Sequence, residues 1–203
     1  KSYFSQRRMT ECLHYPDARM WLCRGDITRI RTDAIVNAAN SQLMGGGGVD
    51  GAIHRAAGKE LLAACQQIGH CNTGEAVVTP GFELPSPMVI HTVGPVWKGG
   101  NHHEDDLLAS CYRKSLEIAS AKHMSGIAFP NISTGVYGFP KNRAAEIALT
   151  VVVTFLQQHI LPKEVLFVCY DSENYTLYQH WLGVRYIPSS MALREDFSGF
   201  HES

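Results

Sequence analysis

The sequence predicts an α/β domain built on a mixed, mostly parallel sheet with helices on both faces. Two observations lead to this prediction: short apolar runs recur along the chain, and helical patterns alternate with them. The runs lie at residues 20–23, 34–36, 76–79, 88–93, 127–129 and 165–169. Several of them are continuously apolar, as expected of strands that are buried on both faces of a sheet.

Helical periodicity is clearest in the second half of the chain. Apolar side chains follow one helix face from Leu107 to Ala119, and the acidic residues 104–106 suit the positive N-terminal end of that helix. The next helix carries an apolar stripe over residues 144–156, with Asn142 as its predicted N-terminal cap. A last helix is predicted around residues 177–182. A sheet of this kind binds its ligands at the carboxyl ends of its strands.

The length and the charge balance bound the number of domains and the class of partner. A chain of 203 residues, 45% of them hydrophobic, suits one globular core. We expect the domain at residues 19–183, between an N-terminal extension at residues 1–18 and a C-terminal tail at residues 184–203. The formal charge of −1 argues against a global basic field that would recruit nucleic acid.

Cysteine usage and hydropathy indicate the compartment. Four of the six cysteines lie in apolar segments and do not form the dense framework of a small secreted domain, which favours a reducing compartment. No apolar run approaches the roughly 20 residues needed to cross a bilayer. We therefore expect a soluble, cytoplasmic protein.

A glycine-rich segment follows the predicted strand at residues 34–36 and leads into a predicted helix. Its central residues are Gly45, Gly46, Gly47, Gly48 and Val49. Glycines let main-chain N–H groups approach a ligand closely, and such amides beside a helix N-terminus form an anion site that suits a pyrophosphate. The alternative is a flexible linker, which the strand and helix on either side disfavour.

Polar side chains accompany these glycines. Asn37 and Asn40 can recognise sugar hydroxyls, or they can bond the local turn. Asp50 stands at the start of the predicted helix, where capping and catalysis are about equally supported. His54 lies four residues later on the same helix face, and a structural hydrogen bond is the ordinary role of a single histidine.

A second segment of this type follows the predicted strand at residues 127–129. Its candidate ligand-binding residues are Ser133, Thr134, Gly135, Val136, Tyr137 and Phe139. The amides suit a phosphate, and Tyr137 or Phe139 can pack against a ribose. The alternative is a strand-to-helix turn with core aromatics.

Several well-known sites are excluded by their spacing. The chain has no Gly-Lys-Ser/Thr phosphate loop and no Gly-x-Ser-x-Gly nucleophile turn. His70-Cys71 and His102-His103 lack paired ligands at zinc spacing, so we predict no metal and no cofactor. Asp26, just after the first predicted strand, can accept a hydrogen bond from an adenine amino group or belong to an ordinary turn.

Four of these motifs together resemble the macrodomain family, and specifically its MacroD-type branch. The motifs are Gly25-Asp26-Ile27, residues 36–54, His91-Thr-Val-Gly94-Pro95 and residues 133–138. They stand in the family's order, and the resemblance covers about residues 20–182. It implies a three-layer α/β/α fold with a mixed, mostly parallel sheet of six or seven strands.

The resemblance also implies a ligand, ADP-ribose, and roles for individual residues. Asp26, with the main chain of Ile27, would hold the adenine, and the aromatic Tyr170, at the end of the last core strand, would stack on it. The two glycine-rich segments would bracket the pyrophosphate. Asn40 and Asp50 would be catalytic at the distal ribose, with Phe139 beside them.

The function implied by the resemblance is hydrolysis. The expected substrates are ADP-ribose esterified to acidic residues of proteins and O-acetyl-ADP-ribose, so the partners would be ADP-ribose, its esters and mono-ADP-ribosylated proteins. The alternatives are a reader module that binds ADP-ribose without cleaving it and an RNA-associated regulatory protein, which the near-neutral charge disfavours.

Overall fold

A computed structural model describes residues 10–188 and 191–194, and within them one mixed sheet is flanked by five α-helices. The sheet has the strand order β4-β5-β3-β6-β7-β2-β1-β8. Its strands are β1 (Thr10–Tyr15), β2 (Met20–Arg24), β3 (Ala34–Ala38), β4 (Ala76–Pro80), β5 (Met88–Thr92), β6 (Gly126–Phe129), β7 (Glu164–Cys169) and β8 (Met191–Arg194). The helices are α1 (Gly48–Ala57), α2 (Lys59–Ile68), α3 (Glu104–Ala121), α4 (Lys141–Gln158) and α5 (Ser172–Gly183).

The helices form two layers, one on each face of the sheet. Buried residues of α3, α4 and α5 pack on one face in a core that includes Tyr112, Phe129 and Phe167. Buried residues of α1 and α2, among them Ile53 and Leu61, pack on the other face. The predicted three-layer α/β/α fold is confirmed.

Five neighbouring strands run in the same direction. β5, β3, β6, β7 and β2 are parallel, whereas β4 is antiparallel to β5 and β1 is antiparallel to β2. The carboxyl ends of the five parallel strands therefore meet at a single edge of the sheet. The loops that follow them are brought together there.

The sheet has eight strands and not the expected six or seven. β1 and β8 lie in the segments 1–18 and 184–203 that were placed outside the domain. β1 pairs with β2 in a register that sets Tyr15 opposite Met20, and β8 pairs with β1. β8 has only four residues, and β1 buries the adjacent residues Cys12 and Leu13, so it lacks the alternation that marks a strand in sequence. The predictions for residues 1–9, 189–190 and 195–203 lie outside the described residues.

The same pairing explains a disulfide that was not predicted. Cys12 and Cys23 are opposite each other on β1 and β2, and the structure joins them. A disulfide is more typical of oxidising compartments, so this bond does not support the expected reducing compartment. The other four cysteines, Cys65, Cys71, Cys111 and Cys169, are free and buried.

The helices agree with the predictions except in two details. α2 was not predicted, because the glycine at position 58 separates it from α1 and both helices are short. α4 begins after Pro140 and has no side-chain cap, whereas the predicted cap, Asn142, accepts a hydrogen bond from Trp181 Nε1. No helix in residues 10–188 is long and apolar enough to cross a membrane.

One arginine ties the start of β2 to the end of α4. The Arg19 guanidinium donates hydrogen bonds to five main-chain carbonyls, those of Leu156, His159, Ile160, Pro162 and Lys163. Carbonyls in the last turn of a helix have no partner within the helix. Arg19 therefore acts as a side-chain cap for α4 and for the turn that follows it.

Candidate active site at the carboxyl ends of the strands

The predicted site segments converge at one edge of the sheet. Asp26 follows β2, the first glycine loop (residues 45–49) follows β3, the second glycine loop (residues 133–137) follows β6, and Tyr170 follows β7. A backbone bond from Gly25 N to Cys169 O holds the first of these turns against the end of β7. The structure thus brings the four segments to a common edge.

The first glycine loop leads directly into α1. Its φ angles are +77° at Gly45 and +58° at Gly48, a region that favours glycine. Gly47 precedes the helix and no side chain caps it, so amides of the first turn stay open to a ligand and the helix dipole favours an anion there. Open amides of this kind suit a phosphate.

Close packing beneath this loop requires a further glycine. A Cβ placed on Gly51, inside α1, would lie 2.3 Å from the carbonyl oxygen of Gly46. The loop therefore rests directly on the main chain of the helix. Gly46 in turn lies beside two candidate catalytic residues, because a Cβ there would be 3.4 Å from Asp50 Oδ2 and 3.8 Å from Asn40 Nδ2.

Asp50 lies in the first turn of α1 and is 6% exposed. Its Oδ1 accepts a hydrogen bond from Asn37 Nδ2 at 2.8 Å and lies 3.4 Å from His54 Nε2. Burial raises the pKa of Asp50 above its ordinary value, although the Asn37 bond and His54 oppose this rise. A buried carboxylate with a raised pKa, at the edge where ligands bind, is typical of a general base.

Asn37 has a different role from the predicted one. It is fully buried, with 0% exposure, so it does not face a ligand directly. The strand position explains this difference, because Asn37 belongs to β3 and points under α1 towards Asp50. It contacts the candidate base, and not the sugar that was expected.

Asn40 braces the loop that precedes the glycines. Its Nδ2 donates to Gly45 O at 2.8 Å, and its Oδ1 accepts from Met44 N at 3.4 Å. The local-turn alternative therefore describes the contacts of this side chain. Asn40 is nevertheless partly exposed and adjoins Gly46, next to Asp50.

The second glycine loop is set by close contacts with the end of β5. Ser133 has a φ of +64°, and its Oγ would lie 2.1 Å from a Cβ on Gly94. The loop closes on itself through bonds from Gly138 N to Gly135 O and from Phe139 N to Ser133 O. Thr134 and Tyr137 are partly exposed, Gly135 is exposed and Val136 is fully exposed, so this loop presents its middle to a ligand.

Phe139 is a correction to the predicted site. Its ring is 1% exposed and packs against Trp97 in the core, with ring centroids 4.9 Å apart. A ring this deeply buried does not contact a ligand. The second aromatic residue predicted for the ribose, Tyr137, is partly exposed. Its carbonyl accepts a hydrogen bond from Trp97 N.

The predicted adenine residues lie at the far end of the same edge. Asp26 Oδ1 accepts from Thr28 N and Thr28 Oγ1, so the carboxylate begins a short 3-10 helix. The side chain of Ile27 is buried at 4% exposure, whereas Tyr170 is 76% exposed at the end of β7. An exposed ring can stack on a base without prior rearrangement.

Sequence reasoning missed a buried carboxylate that shapes the loop after β5. Glu104, 1% exposed, accepts hydrogen bonds from the amides of Lys98, Gly100 and His102. Burial raises its pKa, but these main-chain bonds together outweigh that effect and hold the pKa below its ordinary value. The three acids in the first turn of α3 were interpreted only as partners of the helix dipole, and the glycine pair that ends four residues upstream, at Gly100, was the available signal.

A shallow depression of about 420 Å³ borders the first glycine loop and is lined partly by His54, Arg55 and Lys59. Within residues 10–188, no group of three or more His, Cys, Asp or Glu side chains is arranged to hold a metal ion. The reactive groups next to the first glycine loop are the Asp50 carboxylate, the side chains of Asn40 and His54, and main-chain N–H groups.

Comparison with known proteins places this geometry in a family. The family model described as "Macro domain" matches residues 36–148. A curated O-acetyl-ADP-ribose deacetylase of Escherichia fergusonii is 57% identical over 169 residues, which cover 81% of this chain and 96% of the relative. The Escherichia coli protein of the same name is 55% identical over 168 residues, covering 81% and 95%.

Solved structures agree with this placement. An Oceanobacillus iheyensis macrodomain with ADP superposes with a TM-score of 0.81 at 45% identity, covering 87% of this chain and 97% of the other. A Trypanosoma brucei macrodomain in complex with ADP-ribose gives a TM-score of 0.79 at 41% identity, covering 84% and 75%. The sheet edge, the two glycine loops and these similarities agree, and the chain belongs to the Macro domain family.

Proposed function

We propose that this protein is a hydrolase that binds ADP-ribose and deacetylates O-acetyl-ADP-ribose. The observation that carries the proposal is the buried Asp50 carboxylate, held by Asn37 beside the open amides of the first glycine loop. The curated relatives with this activity are up to 57% identical to the chain and span most of its length. The macrodomains of known structure that resemble it include complexes with ADP and ADP-ribose.

The ligand would lie along the sheet edge with its two ends at different strands. The adenine would lie near Asp26 and Tyr170, and the pyrophosphate would accept hydrogen bonds from amides of the two glycine loops. The distal ribose would then reach Asn40 and Asp50. Contacts to the remote ADP half would thereby hold the reacting ester in place.

Asp50 would act on water at the distal ribose. An ionised carboxylate accepts a proton from the attacking water, or orients that water, as it adds to the ester. An aspartate with its ordinary pKa near 3.9 is a weak base at neutral pH, and burial strengthens Asp50 by raising its pKa. A phosphate of the substrate can share the activation of water.

The same chemistry extends to ADP-ribose esterified to aspartate or glutamate in a protein. Both substrates present an ester at the distal ribose, and they differ in the acyl group that leaves. The exposed rim of the second glycine loop, including Val136, leaves room for a large acyl group. We propose mono-ADP-ribosylated proteins as the second class of substrate and partner, acted on in the cytoplasm.

The first test is calorimetric titration with ADP-ribose, with AMP and ADP as controls, followed by turnover of O-acetyl-ADP-ribose and of a glutamate-linked ADP-ribosyl peptide. We expect preference for ADP-ribose and loss of turnover in Asp50→Ala. Asp17→Asn is the control, because this exposed carboxylate lies before the N-terminal end of β2, at the opposite edge of the sheet. Unchanged turnover in a folded Asp50→Ala variant would mean that Asp50 is not catalytic, whereas ADP-ribose binding without turnover in the unmodified protein would indicate a reader module.

A further inference from the structure

A buried histidine outside the glycine loops lies behind the candidate base. His91, in β5, is 0% exposed. Its Nδ1 lies 3.1 Å from Asn37 Nδ2, and its Nε2 lies 2.9 Å from Thr79 Oγ1. The chain of contacts thus runs from Asp50 through Asn37 and His91 to Thr79, across β3, β5 and β4.

The donors and acceptors in this chain allow a single arrangement. Asn37 Nδ2 carries two protons, one directed to Asp50 Oδ1 and one to His91 Nδ1, so Nδ1 must be the unprotonated nitrogen. Thr79 uses its hydroxyl proton on Pro80 O, so its oxygen accepts from His91 Nε2–H. Each end of the chain therefore requires the same histidine tautomer.

The groups around His91 keep the ring neutral. His54 of α1 acts on the ring electrostatically, and Cys65 Sγ of α2 lies 3.8 Å from Nε2. Burial, together with the smaller effect of His54, lowers the pKa of His91 to about 4. The ring is therefore uncharged at neutral pH and has an acceptor available for Asn37.

The orientation of the Asn37 amide is energetically unfavourable for its own oxygen. Its Oδ1 is buried and has no hydrogen-bond partner among the described residues, which destabilises the folded protein. Turning the amide over would relieve nothing at Asp50, because two oxygens would then face each other at 2.8 Å. The acceptor on His91 holds the amide nitrogen in place against this cost.

From this geometry we infer that His91 is a positioning residue for catalysis: as the neutral Nε2–H tautomer fixed by Thr79, it orients the Asn37 amide, which in turn holds and polarises Asp50. The inference rests on the proposed hydrolase function for its kinetic consequence. His91 does not touch the substrate. Its effect reaches the reaction through two hydrogen bonds.

Two pairs of variants separate positioning from packing. His91→Asn places an amide oxygen near the position of Nδ1 and keeps an acceptor for Asn37, whereas His91→Leu removes it. Thr79→Val removes the acceptor that fixes the tautomer, and Thr92→Val is its matched control. Thr79 and Thr92 are both buried and each donates to one main-chain carbonyl, but of the two hydroxyl groups it is that of Thr79 that lies within hydrogen-bond distance of the His91 ring.

We expect His91→Leu and Thr79→Val to lower kcat by about tenfold or more, with little change in the Kd for ADP-ribose. The acid limb of their kcat/KM profiles should move to higher pH, because the Asn37 bond that lowers the pKa of Asp50 is weakened. His91→Asn and Thr92→Val should keep both kcat and the acid limb near those of the unmodified protein. Equal losses of kcat in Thr79→Val and Thr92→Val, without a shift of the acid limb, would overturn the inference.

A spectroscopic measurement does not depend on turnover. Nitrogen-15 NMR of the imidazole at pH 7 should show His91 protonated at Nε2, and Thr79→Val should change this signal while Thr92→Val leaves it alone. A proton on Nδ1 in the unmodified protein would refute the inference even if the enzyme is active. Lack of turnover in the unmodified protein would instead refute the proposed function, and with it the kinetic role of His91.

Discussion

The glycine inside α1 provides a direct test of how the first glycine loop is held. In Gly51→Ala the new methyl group would start 2.3 Å from the carbonyl oxygen of Gly46, whereas ordinary contact begins at 3.4 Å. The atom in the way is main chain, so the loop itself must move by about 1.1 Å. A displacement of this size near reacting groups can cost up to about 100-fold in rate.

We expect Gly51→Ala to weaken ADP-ribose binding and to lower turnover of O-acetyl-ADP-ribose by about tenfold to 100-fold. The fold should remain, because alanine favours a helix over glycine by roughly 1 kcal/mol, which offsets part of the strain. The assays are calorimetry, turnover and urea unfolding. Gly183→Ala is the matched control, since Gly183 is also helical and a Cβ there meets nothing within 4 Å. Normal binding and turnover in a folded Gly51→Ala protein would show that the loop does not rest on α1 as described.

Three further predictions concern other parts of the molecule. Asp50→Asn should abolish turnover yet raise the melting temperature at pH 7. Because the pKa of Asp50 is raised in the folded state, its contribution to stability is complete below the unfolded-state pKa and is lost as the pH rises through the folded-state pKa, and asparagine removes that loss. An unchanged profile of melting temperature against pH would contradict this sign. Tyr170→Ala should weaken the binding of AMP and ADP-ribose by about 1–3 kcal/mol, the value expected for a ring that stacks on adenine. The free energy of unfolding should stay within about 0.5 kcal/mol of that of the unmodified protein, because the ring is exposed. Unaltered affinities in calorimetry would show that Tyr170 does not belong to the site. Arg19→Met should lower the free energy of unfolding, measured in urea, by about 2 kcal/mol, because the carbonyls at the end of α4 and after it lose a charged donor. A loss below about 0.5 kcal/mol would mean that water molecules replace the guanidinium as donors to these carbonyls.

The sequence predicts the parallel part of the sheet well because strands that are buried on both faces are continuously apolar. The runs at residues 20–23 and 165–169 became β2 and β7, and their common edge was predicted from the alternation of strands and helices. The strand β1 was missed because Cys12 and Leu13 are adjacent and both buried, and β8 was missed because a short antiparallel strand at the edge of a sheet is defined by its partner. Its own residues carry little of that signal.

The candidate site was predicted in outline, but the directions of its side chains were not. A motif places Asn37 and Phe139 near a ligand, yet the structure turns both away from the edge, one under α1 and one into the core. The spacing of residues in the sequence predicts which segments meet at the edge of the sheet. Burial and hydrogen bonding decide which atoms face the cleft, and these depend on elements distant in sequence, as the contact between Gly94 and Ser133 shows.

The Glu104 carboxylate has a consequence for the thermodynamics of binding. Three amides of the loop after β5 are already bonded to it, and that loop donates to the second glycine loop through Trp97. A segment ordered before the ligand arrives has little conformational freedom left to lose. The loop after β5 should therefore add only a small unfavourable entropy to ligand binding. A variant in which this loop is lengthened or shortened, so that the Glu104 bonds are lost, should make the same contacts with the ligand but bind it with a larger entropic penalty.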